Sequence, residues 1–373
     1  MIGNNLLNAA NTGSYGQYVA PPIQLWALGG FQTSGQLGLG DIATRSSPVQ
    51  VGTLTDWNYV TTGYRHTLAL KQDNTLWSWG NNPQGELGLG DRTSRSSPVQ
   101  IGSSIDWKDI SAGEELSVAV KTDGTLWTWG NNGIGQLGRT DLISRSSPTQ
   151  VGVLTNWSKV SAAFSHTMAI KTDGTLWAWG GNGSSQLGLG DYTSRSSPVQ
   201  VGTLTNWANV STNSGHTMAI KTDGTLWAWG ANGGGRLGLN DTTDRTSPVQ
   251  VGTLTNWSKV SCGRSHTIAV KTDGTLWTWG SNTGGQLGLN DLVTRSSPVQ
   301  VGSATNWDII DAGAFASFAV KTDGTLWSWG ANGNGQLGLN DTINKSSPVQ
   351  VGSDASWRGV SSETFHSMAI KSA

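Results

Sequence analysis

The 373-residue chain carries 23 Lys plus Arg against 24 Asp plus Glu, a net charge of −1, and a single cysteine, Cys262. That balance supplies no electropositive field for nucleic acid, and one cysteine excludes both a disulfide framework and a multi-cysteine metal site. With 52 Gly and 20 Trp beside only five Phe and five Tyr, the composition points to internal repeats rather than an ordinary core.

Residues 1–24 contain no Lys, Arg, Asp or Glu and end in Pro21-Pro22. They offer neither a basic leader nor an apolar run near the ~18 residues of a membrane span, so no secretory signal and no membrane insertion is expected. Leu6, Leu7, Tyr15 and Tyr18 are the residues of this arm that can bury against another subunit, and the arm is expected to act as an assembly tether.

From Leu25 the chain repeats. Leu-Trp-x-Trp-Gly begins at Leu76, Leu126, Leu176, Leu226, Leu276 and Leu326, every 50 residues; a degenerate copy, Leu25-Trp26-Ala27-Leu28-Gly29, lies 51 residues before the first. The extra residue is assigned to the loop after it, Gly29 to Gly38 against Gly80 to Gly88. All 20 Trp fall at three repeat positions, seven of them in the Trp57 to Trp357 series.

Four strands are predicted per unit. In the first, strand A is 57–62. Strand B is 66–71, with His66, Leu68 and Leu70 on one face and Thr67, Ala69 and Lys71 on the other. Strand C is 75–80, with Trp77 and Trp79 on one face, and D is the short run after Pro98. The B–C turn reads Thr-Asp-Gly-Thr (Gln-Asp-Asn-Thr in the first unit), where Asp-Gly is expected to supply the positive φ values of a tight hairpin. Strand B carries Ala at one place in every copy, Ala69 through Ala369, a small face expected to receive indoles from a neighbouring blade. Four-stranded units of even spacing make propeller blades. The repeats start at strand C and stop after strand B, so half a blade stands at each end and joining the halves closes a ring. The expected architecture is all-β, a seven-bladed propeller over 25–373 with an arm over 1–24.

The combined pattern Trp-x-Trp-Gly, Gly-Gln-Leu-Gly-Leu, Ser-Ser-Pro-Val-x-Val-Gly, Trp-x-x-Val-Ser-x-Gly and His-Thr-x-Ala, spread over residues 25–371, resembles the repeats of the regulator-of-chromosome-condensation family. The resemblance implies a seven-bladed β-propeller. For the family's nucleotide-exchange members it implies action on a small nuclear GTPase and docking on chromatin. Two departures separate this chain from that activity: the 50-residue beat leaves no room for a protruding β-wedge, and residues 1–24 hold no basic tail. The opening Met-Ile-Gly-Asn-Asn-Leu-Leu resembles the N-termini of tailed-phage structural proteins.

Chemistry-bearing motifs read as frame. His66, His166, His216, His266 and His366 share one repeat position, filled by Leu116 and Ala316 in the other copies, and are expected to bond local backbone rather than metal. Gly-x-Gly-x-x-Gly at 133–138, 233–238 and 333–338 opens no helix, so a phosphate finds no helix N-terminus there. Asp41 through Asp341 each precede Arg or Lys by four places, as a loop clasp. Cys262 replaces alanines such as Ala112 and is expected to be packed and inert.

Against this frame the A–B loops differ in every unit. They place Tyr64, Arg65, Glu114, Glu115, Phe164, Arg264, Phe315 and Phe365 as candidate partner-binding residues, because loops on a rigid scaffold carry function and exposed aromatics with mixed charge suit a protein interface. A second variable set, 42–44 and its equivalents through 342–344, marks another candidate surface. The expected function is a non-enzymatic structural or binding propeller, a phage virion component such as a capsid decoration or tail protein, contacting other virion proteins or a host surface receptor. The alternative is an intracellular regulator of a small GTPase or a chromatin-associated scaffold. No cofactor, metal or nucleic acid is expected, and the location is the virion or else the cytoplasm.

Overall fold

The computed structural model describes residues 21–30 and 32–373. Leu6, Leu7, Tyr15 and Tyr18, with the tether expected of them, lie outside the described residues. Strand β1 (Ile23–Gly30) and the short β2 (Val49–Gln50) are followed by a unit of four, β3 (Trp57–Thr62), β4 (His66–Lys71), β5 (Leu76–Gly80) and β6 (Arg95–Gln100). This is blade one. Blades two to five repeat it from Trp107 to Gln300 as β7 to β22. Blade six is β23 (Trp307–Ala312), β24 (Ala316–Lys321), β25 (Leu326–Gly330) and β26 (Lys345–Gln350). The chain then adds β27 (Trp357–Ser362) and β28 (His366–Ser372). The seventh sheet runs β2-β1-β28-β27, so both ends of the repeat array share blade seven and the ring closes as the half-blades require. Among the described residues no helix is long and apolar enough to cross a membrane.

Four local expectations are corrected. The extra residue near Leu28 is not in the loop. Ala27 pairs with Met368 and Gly29 with Ser367, so Leu28 bulges out of β1, and Gly30, opposite His366, is the counterpart of Gly80, opposite His66. A bulge absorbs one residue while keeping the ladder in register on either side. Strand D starts at Arg95, ahead of Pro98; the β5–β6 register breaks between Gly80–Arg95 and Ser78–Val99, and the proline sits in that irregular stretch of an edge strand, where its missing N–H costs nothing. In the B–C turn only the third loop residue takes positive φ, Gly124 at 79° and Asn74 at 61°. The turn is therefore a three-residue loop ending in a left-handed residue, and the aspartate serves by its side chain: Thr125 N–H and Oγ1–H both donate to Asp123 Oδ1.

The fourth correction concerns the alanines. Ala69 stands opposite Trp77, Thr67 opposite Trp79, and Lys71 opposite Trp57. Directly opposed residues share a face, so the indoles around each alanine are those of its own blade. The neighbour contributes aliphatic side chains: blade three's Trp157, Ala169 and Trp179 pack on Leu116, Val118, Val120 and Leu126 of blade two. The inner ring of each Leu-Trp-x-Trp pair is fully buried, Trp79 to Trp329 alike. An indole removes ~150–250 Å² from water, about 4–6 kcal/mol before entropy.

Each buried indole also forms a joint. Trp179 Nε1–H donates to the Gln136 carbonyl in the preceding blade at 3.0 Å, and Thr167 Oγ1–H donates to the same oxygen at 3.0 Å. A Cβ on Gly138 would collide with the Trp179 ring, so the last glycine of the Gly-x-Gly-x-x-Gly loop seats this tryptophan, while Gly135 gives room to Ser196 of the next blade.

Candidate protein-interaction face

Strand A of every blade lies innermost, and the seven strands meet around the axis. A side-chain ladder joins them: Ser111 Oγ accepts the Ala162 N–H, Ser211 Oγ the Cys262 N–H, Ser261 Oγ the Ala312 N–H and Ser361 Oγ the Thr62 N–H. Asp311 takes the place of the hydroxyl in blade six, accepting the Ser362 N–H at 2.6 Å. Burial raises its carboxyl to about 6. The ladder leaves an axial cavity of about 20 Å³, room for about one water.

Strands A and C run in the same direction, so the A–B and C–D loops emerge on one face of the disc. The A–B loops crowd the axis there. Asn213 Nδ2–H donates to Glu363 Oε1 across the mouth at 3.2 Å. Burial, with the charge of Asp311 adding to it, raises Glu363 to about 7. Tyr64 and Phe365 meet edge to face at 4.9 Å, and the Arg65 guanidinium lies 5.3 Å and 5.1 Å from their ring centres. Arg264 stands 5.8 Å from the Phe315 ring. Glu114 is raised to about 7 by burial and by the nearby Glu115 and Glu363 charges, while Glu115 Oε2 accepts the Asn131 side-chain amide. The face thus brings the eight candidate residues around one opening. It does not present four exposed aromatics: Phe164 and Phe315 project, whereas Tyr64 and Phe365 are half-buried against each other.

The second variable set is not another surface. It forms the outer ring of the same face, where Ile42, Leu142, Ile143, Tyr192, Leu292, Val293 and Ile343 are all more than half exposed. Behind it each aspartate pairs with the base four residues on, as Arg195–Asp191 at 2.6 Å. It also accepts the N–H two residues on and a side-chain amide from across the loop, an asparagine such as Asn182 in blades one to six and Gln32 in blade seven. The clasp expected from spacing is therefore three bonds on one carboxylate.

One set escaped the sequence reading. The third residue of strand A also varies, with six residue types over seven blades: Tyr59, Asp109, Lys159, Asn209, Lys259, Ile309 and Gly359. It sits on the innermost strands, where Asp109 Oδ2 accepts the Val160 N–H and burial lifts its carboxyl to about 6. Variation at one strand register, inside a nearly constant frame, was the available signal.

The histidines do not bond local backbone; each imidazole meets a hydroxyl of the next blade. His66 Nε2 faces Ser117 Oγ at 2.9 Å, one blade on, and Ser117 donates its only proton to the Glu86 carbonyl. The imidazole must therefore donate from Nε2. Burial holds His66, His166, His266 and His366 down to about 3. Among the described residues no group of three or more His, Cys, Asp or Glu is placed to hold a metal. Cys262 is buried, donates Sγ–H to the Ser211 carbonyl, and is pushed up to about 12, as a packed thiol should be.

Comparison with known proteins agrees with this geometry. The family model for the RCC1-like domain matches residues 22–255, and that for the regulator of chromosome condensation (RCC1) repeat matches 273–320 and 323–370. Among solved structures, Prp20p from Saccharomyces cerevisiae, described with its binding to Gsp1p and histones, superposes with a TM-score of 0.85 at 20% identity over 95% of this chain and 92% of its own. Human WBSCR16 gives 0.82 at 20% identity, over 95% of this chain and 100% of its own. Yeast RCC1 (Prp20) bound to Kap60 gives 0.83 at 20% identity, over 94% and 89%.

Proposed function

The chain belongs to the RCC1-like domain family, and from that premise we propose that it is a non-catalytic scaffold that binds protein partners through the face carrying its A–B and C–D loops. The observation that carries this is the contrast between an almost constant frame and seven A–B loops that differ in every blade yet converge on one opening. The chemistry available there suits recognition: aromatic rings, arginines stacked on them, and carboxylates around the mouth. The imidazoles are committed to inter-blade hydroxyls and the single thiol to packing.

Of the finer readings, regulation of a small GTPase or a chromatin-associated role is the one favoured by the solved structures of similar fold, which include a protein described with Gsp1p and histones. The virion reading stands on the first residues alone, outside the described chain. The test is calorimetric titration of the purified protein with a Gsp1p-type GTPase and, separately, with histones. Binding to either that falls at least tenfold in Phe164→Ala or Arg264→Ala, with an unchanged melting temperature, supports the face. Binding that both variants leave intact overturns it.

A further inference from the structure

Seven nearly identical joints hold the ring, and they are not equally made. Each has places for three side-chain bonds at the loop-bearing end. An indole N–H and a hydroxyl both donate to one carbonyl of the preceding blade, and an imidazole of the preceding blade donates to that hydroxyl. Between blades five and six all three are present: Trp329 and Ser317 on the Gln286 carbonyl, and His266 on Ser317. The same holds between blades seven and one, with Trp79 and Thr67 on the Gln36 carbonyl and His366 on Thr67. Blades two and three lack only the imidazole, since Leu116 stands there while Trp179 and Thr167 still reach Gln136.

The joint between blades six and seven lacks all three. Ala316 stands in place of the histidine. The Leu28 bulge puts Gly29 at the register of the indole, and the Leu28 side chain joins the apolar cluster of Phe318, Leu326 and Leu337 instead. Ser367 shares its hydrogen bond with Ser362 of its own blade at 2.9 Å. What remains is that apolar contact, the Asp311–Ser362 bond near the axis, and two inter-blade backbone bonds, Asn340 N–H to the Ser46 carbonyl at 2.6 Å on the loop-bearing face and Trp357 N–H to the Gly324 carbonyl at 3.0 Å beside the 351–356 connection on the opposite face. The carbonyl that other joints use twice has, at Gln336, no clasp among the described residues. On the opposite face residues 351–356 run covalently from β26 to β27.

We infer that the ring opens at one fixed place, between blades six and seven, parting on the loop-bearing face and hinging on the 351–356 connection. Local opening follows the least-bonded contact rather than the average, and here that contact lies directly beneath the loops of Phe315 and Phe365. Opening therefore changes the spacing of those two rings while the other six joints stay closed. A partner seated across both loops would hold the joint shut.

The repeats supply their own controls. An equivalent backbone bond crosses every joint: Asn240 N–H to Ser296 O, Asn290 N–H to Ser346 O, Asn340 N–H to Ser46 O, Thr140 N–H to Ser196 O, and for the glycine series Gly40 to Ser96, Gly90 to Ser146 and Gly190 to Thr246. Asn240, Asn290 and Asn340 each follow a leucine and precede an aspartate, so their unprotected exchange rates are matched. Hydrogen exchange read by NMR on the intact chain should find the Asn340 amide at least about tenfold faster than Asn240 and Asn290, with Gly40 as slow as Gly90 and Gly190. Equal rates for the three asparagines overturn the inference. So do equal, fast rates at Gly40 and Asn340, which mean that blade seven frays as a whole. A repaired chain, with Leu28 deleted, Gly29→Trp and Ala316→His, should bring Asn340 down to the rate of its sisters. If it folds and Asn340 stays fast, the missing clasps are not the cause. If it fails to fold, the ranking in the native chain still decides.

Discussion

Trp179 fills the space between two blades and donates to the Gln136 carbonyl. Its two tasks separate by substitution. Trp179→Ala should cost about 3–5 kcal/mol, the range for emptying a buried large site. Trp179→Phe should cost nearer 1–2 kcal/mol for the lost bond and imperfect fit, both read by denaturant titration. Phe164→Ala should stay within about 0.5 kcal/mol; a larger loss there than at Trp179 would invert the division of frame from surface. The histidines make a second residue-scale prediction. Because His266 is held down to about 3, the unfolded chain binds a proton below its ordinary value near 6.5 that the folded chain refuses, so this contribution to stability is lost as pH falls through that window. Asp109 and Asp311, raised to about 6, and Glu363, raised to about 7, run the other way and weaken the fold as pH rises. His266→Leu, a change for which Leu116 is the precedent, removes one histidine contribution and leaves the carboxylates. The melting temperature of the variant should gain on the parent between pH 7 and pH 5; a constant gap would refute the assignment.

Among elements, the turns show how far a sequence pattern reaches. Asp-Gly, or Asp73-Asn74 in blade one, marks each B–C hairpin correctly, but residue types alone do not say which of the two takes the left-handed conformation. That depends on the Thr125 and Asp123 bonds, which hold the aspartate at negative φ and pass the strain to Gly124. A Cβ on Gly124 would also strike the Thr155 carbonyl of the next blade. Gly124→Ala should therefore cost at least about 2 kcal/mol. In blade one Asn74 occupies this position, and the following joint is longer, Trp107 N–H to Asn74 O at 3.3 Å against 3.0 Å from Trp157 to Gly124. Asn74→Gly should stabilise by up to about 1 kcal/mol, and a fall in melting temperature would count against this account. Strand positions were legible because period-two alternation and turn residues recur in every unit. The Leu28 bulge was not, because Leu-Trp-Ala-Leu-Gly aligns with Leu-Trp-x-Trp-Gly without a gap, and only pairing with β28 shows which residue is extra.

At the scale of the whole molecule, closure followed from where the repeats begin and end, and the assembled sheet β2-β1-β28-β27 carries it out. Removing residues 356–373 should strip β27 and β28, leave β1 and the blade-one joint without a partner, and abolish cooperative unfolding. A truncated protein that stays monomeric with an unchanged melt would contradict the shared blade. Convergence of both variable loop sets on one face was not legible from their separate positions in the chain; it needed the direction of each strand. The indoles carry one more consequence. In blades one to six the first tryptophan touches two others, Trp157 lying 5.9 Å from Trp177 and 6.0 Å from Trp179, while in blade seven Trp357 meets Trp26 alone among the indoles, so excitation migrates within each cluster before it is emitted. Intrinsic fluorescence will report an average over the ring and respond weakly to a ligand at the mouth. The same proximity couples the indole transitions in circular dichroism, making that signal an optical gauge of how tightly neighbouring blades are seated.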